Sequence, residues 1–252
     1  VSEVVYVNAA NLAAGDGSHA NPYSTLTAAI DAKLTSGATM TYHFELAPGV
    51  YTGAISKNFG GTQSFSIRGS APDQVIIQSA ATWGAGMADC LYFRNFKNVS
   101  ISGVTIRNAK YGLYCRQCDS LHLDRVHFRY CGSSGVTANH DMSLSQVDQA
   151  AAWNGGAGPA LQNGGALRAQ ALDYCSVSRC RVRLCLRGLR CQDCLGGGVN
   201  NCHVESIIES GIYCAASSYT GTDGCEKFAI CSNTLLENFN NGILVVGGSD
   251  VA

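Results

Sequence analysis

Apolar and polar residues alternate with a period of two along most of the chain, and the alternation returns in blocks. The segment VSISGVTIRNAKYGLYC (99–115) sets the pattern: two short alternating runs, a loop, then a glycine followed by a third alternating triplet. It recurs at 121–138, 175–191, 198–214 and 228–245, with Gly112, Gly135, Gly188, Gly211 and Gly242 at the same point of each copy. The first and third intervals between these glycines are both 23 residues (112 to 135, 188 to 211). The second is 53, a unit plus an insertion of 30, and the fourth is 31, a unit plus 8. A fixed period of this size marks a stacked repeat, and alternation inside each unit makes the elements strands. The pattern predicts an all-β solenoid with rungs of about 23 residues.

The first hundred residues fit the same architecture less regularly. VVYVNAA (4–10) reads as a strand. Ser24 is placed to N-cap a helix over Thr25–Leu34, whose Leu26, Ala29, Ile30 and Leu34 share one face. Such a helix would cover the apolar end of the stack. Strands are expected within 42–52, 64–69 and 74–80, with turns at Pro48-Gly49 and Pro72-Asp73. The whole chain reads as one domain: strand and cap helix (1–40), irregular first rungs (41–95), and regular rungs (96–252) interrupted near 139–168 and 217–224. Its last residues, GILVVGGSDVA, stop inside a strand pattern, so further chain is expected after 252.

Three pieces carry a family resemblance: the DGS-x-x-NPY-x-T-x-x-AID opening, the APGVY strand and turn, and NVSISGVTIRNAKYGLYC. Together they resemble the right-handed parallel β-helix (pectate-lyase-like) superfamily, which includes polysaccharide-degrading enzymes and many bacteriophage tail spikes and fibres. The resemblance implies a right-handed parallel β-helix, and it is nearest to a tail spike or tail fibre segment. That in turn implies a homotrimer in a virion tail that binds, and in some members degrades, a bacterial surface polysaccharide. A secreted, free-standing polysaccharide lyase or glycoside hydrolase is the alternative, and a non-catalytic adhesive solenoid is the third. No pectinesterase-like QDTLY stretch is present, and no calcium-binding aspartate cluster falls on one rung. Function therefore has to be argued from sites.

Composition narrows the choices. Apolar residues make up 46% of the chain, enough for a continuous core, and a net charge of −1 argues against a general nucleic-acid binder. There is no run of 18 apolar residues, so no membrane span is expected. Thirteen cysteines raise a disulfide or metal question. Register addresses it. Cys115, Cys191 and Cys214 take one inward position, and Cys180 and Cys202 take the places of Val104 and Val126. Rungs about 4.8 Å apart hold stacked side chains slightly too far apart for an unstrained disulfide, so a reduced thiol ladder is expected. The pairs Cys115/Cys118 and Cys191/Cys194 have zinc-knuckle spacing, but they lie two rungs apart and cannot share one ion. No metal or cofactor is expected.

Candidate chemistry lies on the outside. The outward column after the marker glycine reads Tyr114, Thr137, Arg190, Tyr213, Leu244. The preceding strand presents Thr105, His127, Arg181, His203, Thr234 beside Arg107, Arg129, Arg183, Glu205, Leu236. Arg107, Arg129 and Arg183 would repel one another unless anions intervene. They form a groove for an acidic polysaccharide, a subunit contact, or a solvated face partly neutralised by Asp124, Glu205 and Glu209. The insertions bring His140, Asp141, Asp148, Trp153 and Arg168, and Tyr219, Asp223 and Glu226. Both follow the glycine-marked strand, so both are expected at one edge, walling a channel over Tyr114, Arg190 and Tyr213. Trp153, Tyr219, Tyr114 and Tyr213 suit sugar rings. Asp141, Asp148 and Asp223 are candidates for a carboxylate acid/base pair, and Arg190 for stabilising enolate-like charge in β-elimination. Each aspartate reads more simply as an Asx turn or loop cap, and His127 and His203 as exposed rung residues.

Overall fold

A computed structural model describes residues 1–35, 40–82, 88–132, 165–172, 174–207, 210–215, 225, 227–236, 238 and 241–246. Three parallel sheets wind around one core, and successive strands visit them in turn. The first face starts with Ser2–Val7, Thr41–Leu46 and Ser64–Gly69, and continues through Asn98–Ser102, Ser120–Asp124, Tyr174–Ser178, Gly197–Asn200 and Phe228–Cys231. The second runs through Gly49–Thr52, Val75–Gln78, Thr105–Ala109, His127–Cys131, Arg181–Cys185, His203–Ile207 and Thr234–Leu236. The third holds Ile55–Asn58, Leu91–Arg94, Tyr111–Arg116, Gly165–Leu172, Leu189–Cys194, Ser210–Ala215 and Asn241–Val246. This is the all-β solenoid the alternation predicts, in the right-handed parallel β-helix form the resemblance implies. Strands Ile55–Asn58 and Leu91–Arg94, which the sequence reading did not single out, complete the early rungs.

Alternation sets burial. In Asn98–Ser102, Val99 and Ile101 point inward at 0% exposure, and they pair in register with Leu121 and Leu123, then Cys175 and Val177. Like stacks on like, so each inward column is continuous from rung to rung. The uninterrupted rungs of the regular part are 22 residues (Val99 to Leu121, Thr105 to His127), and the interval is 23 where Leu189 pairs with Ile212 and where Thr41 pairs with Ser64. The corners explain how so short a coil closes. Gly103, Arg125, Arg179, Asn201 and Ser232 all have positive φ where the first face turns into the second. Asn108, Tyr130, Leu184 and Ser206 do the same at the second corner. A left-handed residue costs on the order of 1 kcal/mol when it is not glycine, and the stacked hydrogen bonds on both sides hold each one in place.

The helix covers the N-terminal end as expected, but it begins one residue later. It spans Leu26–Lys33, and Thr25, not Ser24, is the cap: Thr25 is extended and its Oγ1 accepts from the Ala28 amide at 3.1 Å. Leu26, Ala29, Ile30 and Leu34 are buried in the same cluster as Val5, Val7 and Phe44.

One rung is threaded differently from the sequence expectation. Tyr111 pairs with Gly165 and Leu167 with Leu189, so the third-face strand after His127–Cys131 is Gly165–Leu172, not the stretch beginning at Gly135. The small-residue column therefore reads Gly112, Ala166, Gly188, Gly211, Gly242 by register, and Gly135 lies outside the described residues. GSSGVTA imitates the marker locally. ALRAQAL wins because it places Leu167 and Ala169 inward and pairs with strands on both sides. Arg168 belongs to this strand rather than to an insertion. What remains of the expected insertions lies outside the described residues; Gly132 leads toward the third-face strand Gly165–Leu172, whereas Ala215 ends the third-face strand Ser210–Ala215.

All thirteen cysteines are free; twelve are buried and Cys231 is exposed. The inward stack Cys115–Ala169–Cys191–Cys214 has the register expected for a thiol ladder.

Close backbone approach decides where side chains are forbidden. Gly197 has φ +115°, and a Cβ there would lie 1.9 Å from the Cys175 carbonyl oxygen on the adjacent rung. Gly60 has open space around it. Gly197→Ala is expected to lower unfolding free energy by more than about 2 kcal/mol, and Gly60→Ala to change it by less than about 0.5 kcal/mol, both measured by denaturant titration.

Candidate functional site

The third face gathers the most distinctive surface chemistry. Its outward column reads, rung by rung, Tyr92, Tyr114, Arg168, Arg190, Tyr213 and Leu244. Each residue sits one rung, about 4.8 Å, from the next, so the column spans about 24 Å. Tyr92 meets Tyr114 edge to face at 5.1 Å between centroids. The Arg168 guanidinium lies 4.8 Å from the Tyr114 ring and 5.9 Å from the Tyr111 ring, and Arg190 lies 4.9 Å from Tyr213. Aromatic faces thus bracket two cations on adjacent rungs.

The two arginines start from adjacent rungs, and each guanidinium leans toward a tyrosine on its far side, Arg168 to Tyr114 and Arg190 to Tyr213. Like charges on neighbouring rungs repel, and the repulsion is screened by solvent. Burial, then Arg187 and Arg168, push the Arg190 guanidinium below its ordinary pKa. The Nε of Arg168 and the Nε of Arg190 are both buried and without a hydrogen-bond partner. Unsatisfied donors on paired cations are a configuration that a carboxylate, sulfate or phosphate would complete.

Asp89, just before strand Leu91–Arg94, is the nearby acid. Burial raises its carboxyl pKa, and Lys110, the Tyr111 amide and Arg168 only partly offset the effect. Its Oδ1 is also buried without a partner.

The second face is different. Its two outward columns have the expected register: Thr105, His127, Arg181, His203, Thr234 beside Arg107, Arg129, Arg183, Glu205, Leu236. Here the three arginines of the second column find partners within the chain. Arg107 donates to Gln78 at 2.9 Å, Arg129 lies 5.1 Å from the Tyr130 ring, and Arg183 pairs with Glu205 at 3.3 Å. His203 lies 3.2 Å from the same glutamate. Asp124 does not neutralise this face; it holds Arg179 at 2.7 Å and Arg125 at 3.3 Å at the first corner. Burial, with Arg181 and Arg129 nearby, lowers the His127 pKa, so its imidazole is neutral at pH 7.

Of the residues singled out in the sequence, Tyr114, Arg190 and Tyr213 are brought together, and Arg107, Arg129 and Arg183 form a separate column on the second face. Asp141, Asp148, Trp153, Tyr219 and Asp223 lie outside the described residues, as do His140, Thr137, Glu209 and Glu226. Tyr92, Tyr111 and Asp89 escaped sequence reasoning. Tyr92 had a usable signal, since it sits 22 residues before Tyr114 in an alternating LYFR run.

A solenoid of three parallel sheets with an aromatic and cationic stripe on one outer face defines the class. The right handed beta helix region family matches residues 89–252, well over half of the chain, and the protein belongs to that family. No curated protein matches it.

The raised Asp89 pKa has a consequence for stability. Its folded value lies above its unfolded value, so ionisation costs the folded state, and stability falls as pH rises from the ordinary carboxylate range through the folded pKa. Asp89→Asn is expected to remove that dependence and to raise the melting temperature at pH 7 relative to the wild type. A melting temperature that drops at pH 7, with the pH dependence kept, contradicts the assignment.

Proposed function

We propose that the protein is a polysaccharide-binding β-helix whose third face engages an acidic glycan along the Tyr92–Tyr114–Arg168–Arg190–Tyr213 column. One observation carries the reading: Arg168 and Arg190 stand on adjacent rungs, each with an unpaired buried Nε, and the column supplies no carboxylate between them. A uronate or other acidic sugar supplies that anion, while the flanking tyrosines offer apolar faces with polar edges to the pyranose rings. The second-face arginines have partners within the chain and are the weaker candidates.

The resemblance of the opening segment favours a biological setting in a bacteriophage tail spike or tail fibre, a homotrimer that recognises a bacterial surface polysaccharide. A second reading is β-elimination from a uronic acid. Asp89, with its elevated pKa beside Arg168, favours it: a carboxylate that takes a proton readily lies next to a cation able to stabilise an enolate-like oxyanion.

Calorimetric titration with oligosaccharides of a uronic-acid polymer and of a neutral polymer separates these readings. Acidic chains are expected to bind and neutral ones to bind more weakly. Arg168→Ala and Arg190→Ala should each weaken acidic binding about tenfold or more, the value of a hydrogen bond to a charged group. Added salt should weaken it further. Equal affinity for neutral and acidic chains, or arginine variants that bind like the wild type, contradicts the reading. Ultraviolet absorbance from unsaturated products, lost in Asp89→Asn, would establish elimination. A single-chain mass in sizing chromatography would remove the spike setting while leaving the binding face intact.

A further inference from the structure

The core thiols are not spread evenly along their columns. Cys175 projects inward from the first face, and Cys191 and Cys194 from the third-face strand Leu189–Cys194; all three are 0% exposed. Their Sγ atoms lie within 4.8 Å of one another. Rung stacking alone does not produce this grouping, because the three occupy three different columns. Cys175 stacks between Leu121 and Gly197, Cys191 between Ala169 and Cys214, and Cys194 on Leu172. Two neighbours in those columns, Gly197 and Ala169, are small. Two more thiols border the group: Cys214 stacks on Cys191 in the next rung, and the Cys225 Sγ lies 3.5 Å from the Cys191 carbonyl oxygen.

We propose that Cys175, Cys191 and Cys194 form a three-sulfur site for a thiophilic d10 cation, with zinc(II) the favoured ion. The geometry is within reach. With no separation above 4.8 Å, a point exists at most about 2.8 Å from all three sulfurs, and a Zn–S bond is about 2.3 Å. Each sulfur therefore moves inward by at most about half an ångström. Sulfur ligands select soft ions such as zinc(II) and copper(I) over calcium or magnesium. On binding, three S–H bonds are replaced by three S–metal bonds, and three protons leave to solvent. A divalent ion then leaves one net negative charge, and a monovalent ion two. In an apolar core the smaller charge is favoured. Cys214, stacked on Cys191, and Cys225, beside the Cys191 carbonyl, are the neighbouring S–H groups available to spread that charge.

This grouping differs from the one that cysteine spacing suggests. Cys115/Cys118 and Cys191/Cys194 look like a pair of knuckles, but the third ligand comes from the neighbouring face, a placement only the coil provides. The site is independent of the polysaccharide face, since its sulfurs point into the core and the arginines point out.

The test begins with the full chain unfolded under reductant and chelator, then refolded with zinc(II), with copper(I) under anaerobic conditions, or without metal. Bound metal is counted after gel filtration. One zinc per chain and a higher melting temperature than the metal-free protein are expected. Cys175→Ala, Cys191→Ala and Cys194→Ala should each lower retained zinc by more than about tenfold, a larger loss than removal of an outer-shell partner causes at its mildest. Cys180→Ala, in a different thiol pair, should retain the wild-type stoichiometry. Because core variants can misfold, cobalt(II) is also added to the wild type, where a thiolate-to-metal charge-transfer band is expected. Wild-type protein that elutes without metal and shows no such band overturns the proposal. So do cysteine variants that keep full zinc, or a disulfide found within the trio. One copper and no zinc per chain keeps the site and overturns the preference for a divalent ion.

Discussion

Every feature of this protein depends on the in-register parallel hydrogen bonding of one rung to the next. A parallel strand pair fixes which residue lies above which, so a choice made once at a position is imposed along the column. Inward columns must be apolar throughout, because a slip of one residue would turn each side chain to the other surface. The same constraint aligns the outer surface. The bracketing of Arg168 and Arg190 by tyrosines follows from register, with no loop needed to bring these residues together.

The corners show how firmly the stack holds. Side chains as different as Asn108, Tyr130, Leu184 and Ser206 adopt the same left-handed backbone at the second corner. Local preference favours glycine or asparagine there, and stacking overrides it. The third face also shows where the stack meets its limit: the interval from Leu189 to Ile212 is one residue longer than the usual rung, and both residues remain buried.

Much of this was legible in the sequence. Alternation gave the strands, the repeat gave the solenoid, and counting from Gly112 put Cys115, Cys191 and Cys214 inside and Tyr114, Arg190 and Tyr213 outside. What misled was local imitation. Gly135 copies the marker glycine, but the strand that pairs with both neighbours begins at Gly165, and long-range pairing is invisible to a local motif. That one shift moved Arg168 from a loop to the centre of the third face and completed the cationic pair. Asp89 was not legible, because a lone acid before a short strand carries no periodic signal. The Cys175, Cys191 and Cys194 grouping was hidden for a related reason: its members belong to three columns, and repeat counting compares residues only within one.

The two surfaces that carry arginine columns differ in one respect that decides between them. On the second face Arg107, Arg129 and Arg183 have partners within the chain, and Glu205 serves both Arg183 and His203. On the third face the Nε donors of Arg168 and Arg190 are buried and unanswered. A buried donor without a partner costs about 1–3 kcal/mol, which an anionic ligand would recover. The most direct measurement is a crystal structure of the protein with an acidic oligosaccharide. The account predicts sugar rings against Tyr114 and Tyr213, with a carboxylate within hydrogen-bonding distance of Arg168 and Arg190. An oligosaccharide ordered along Arg107, Arg129 and Arg183 instead, with the third face bare, would contradict it.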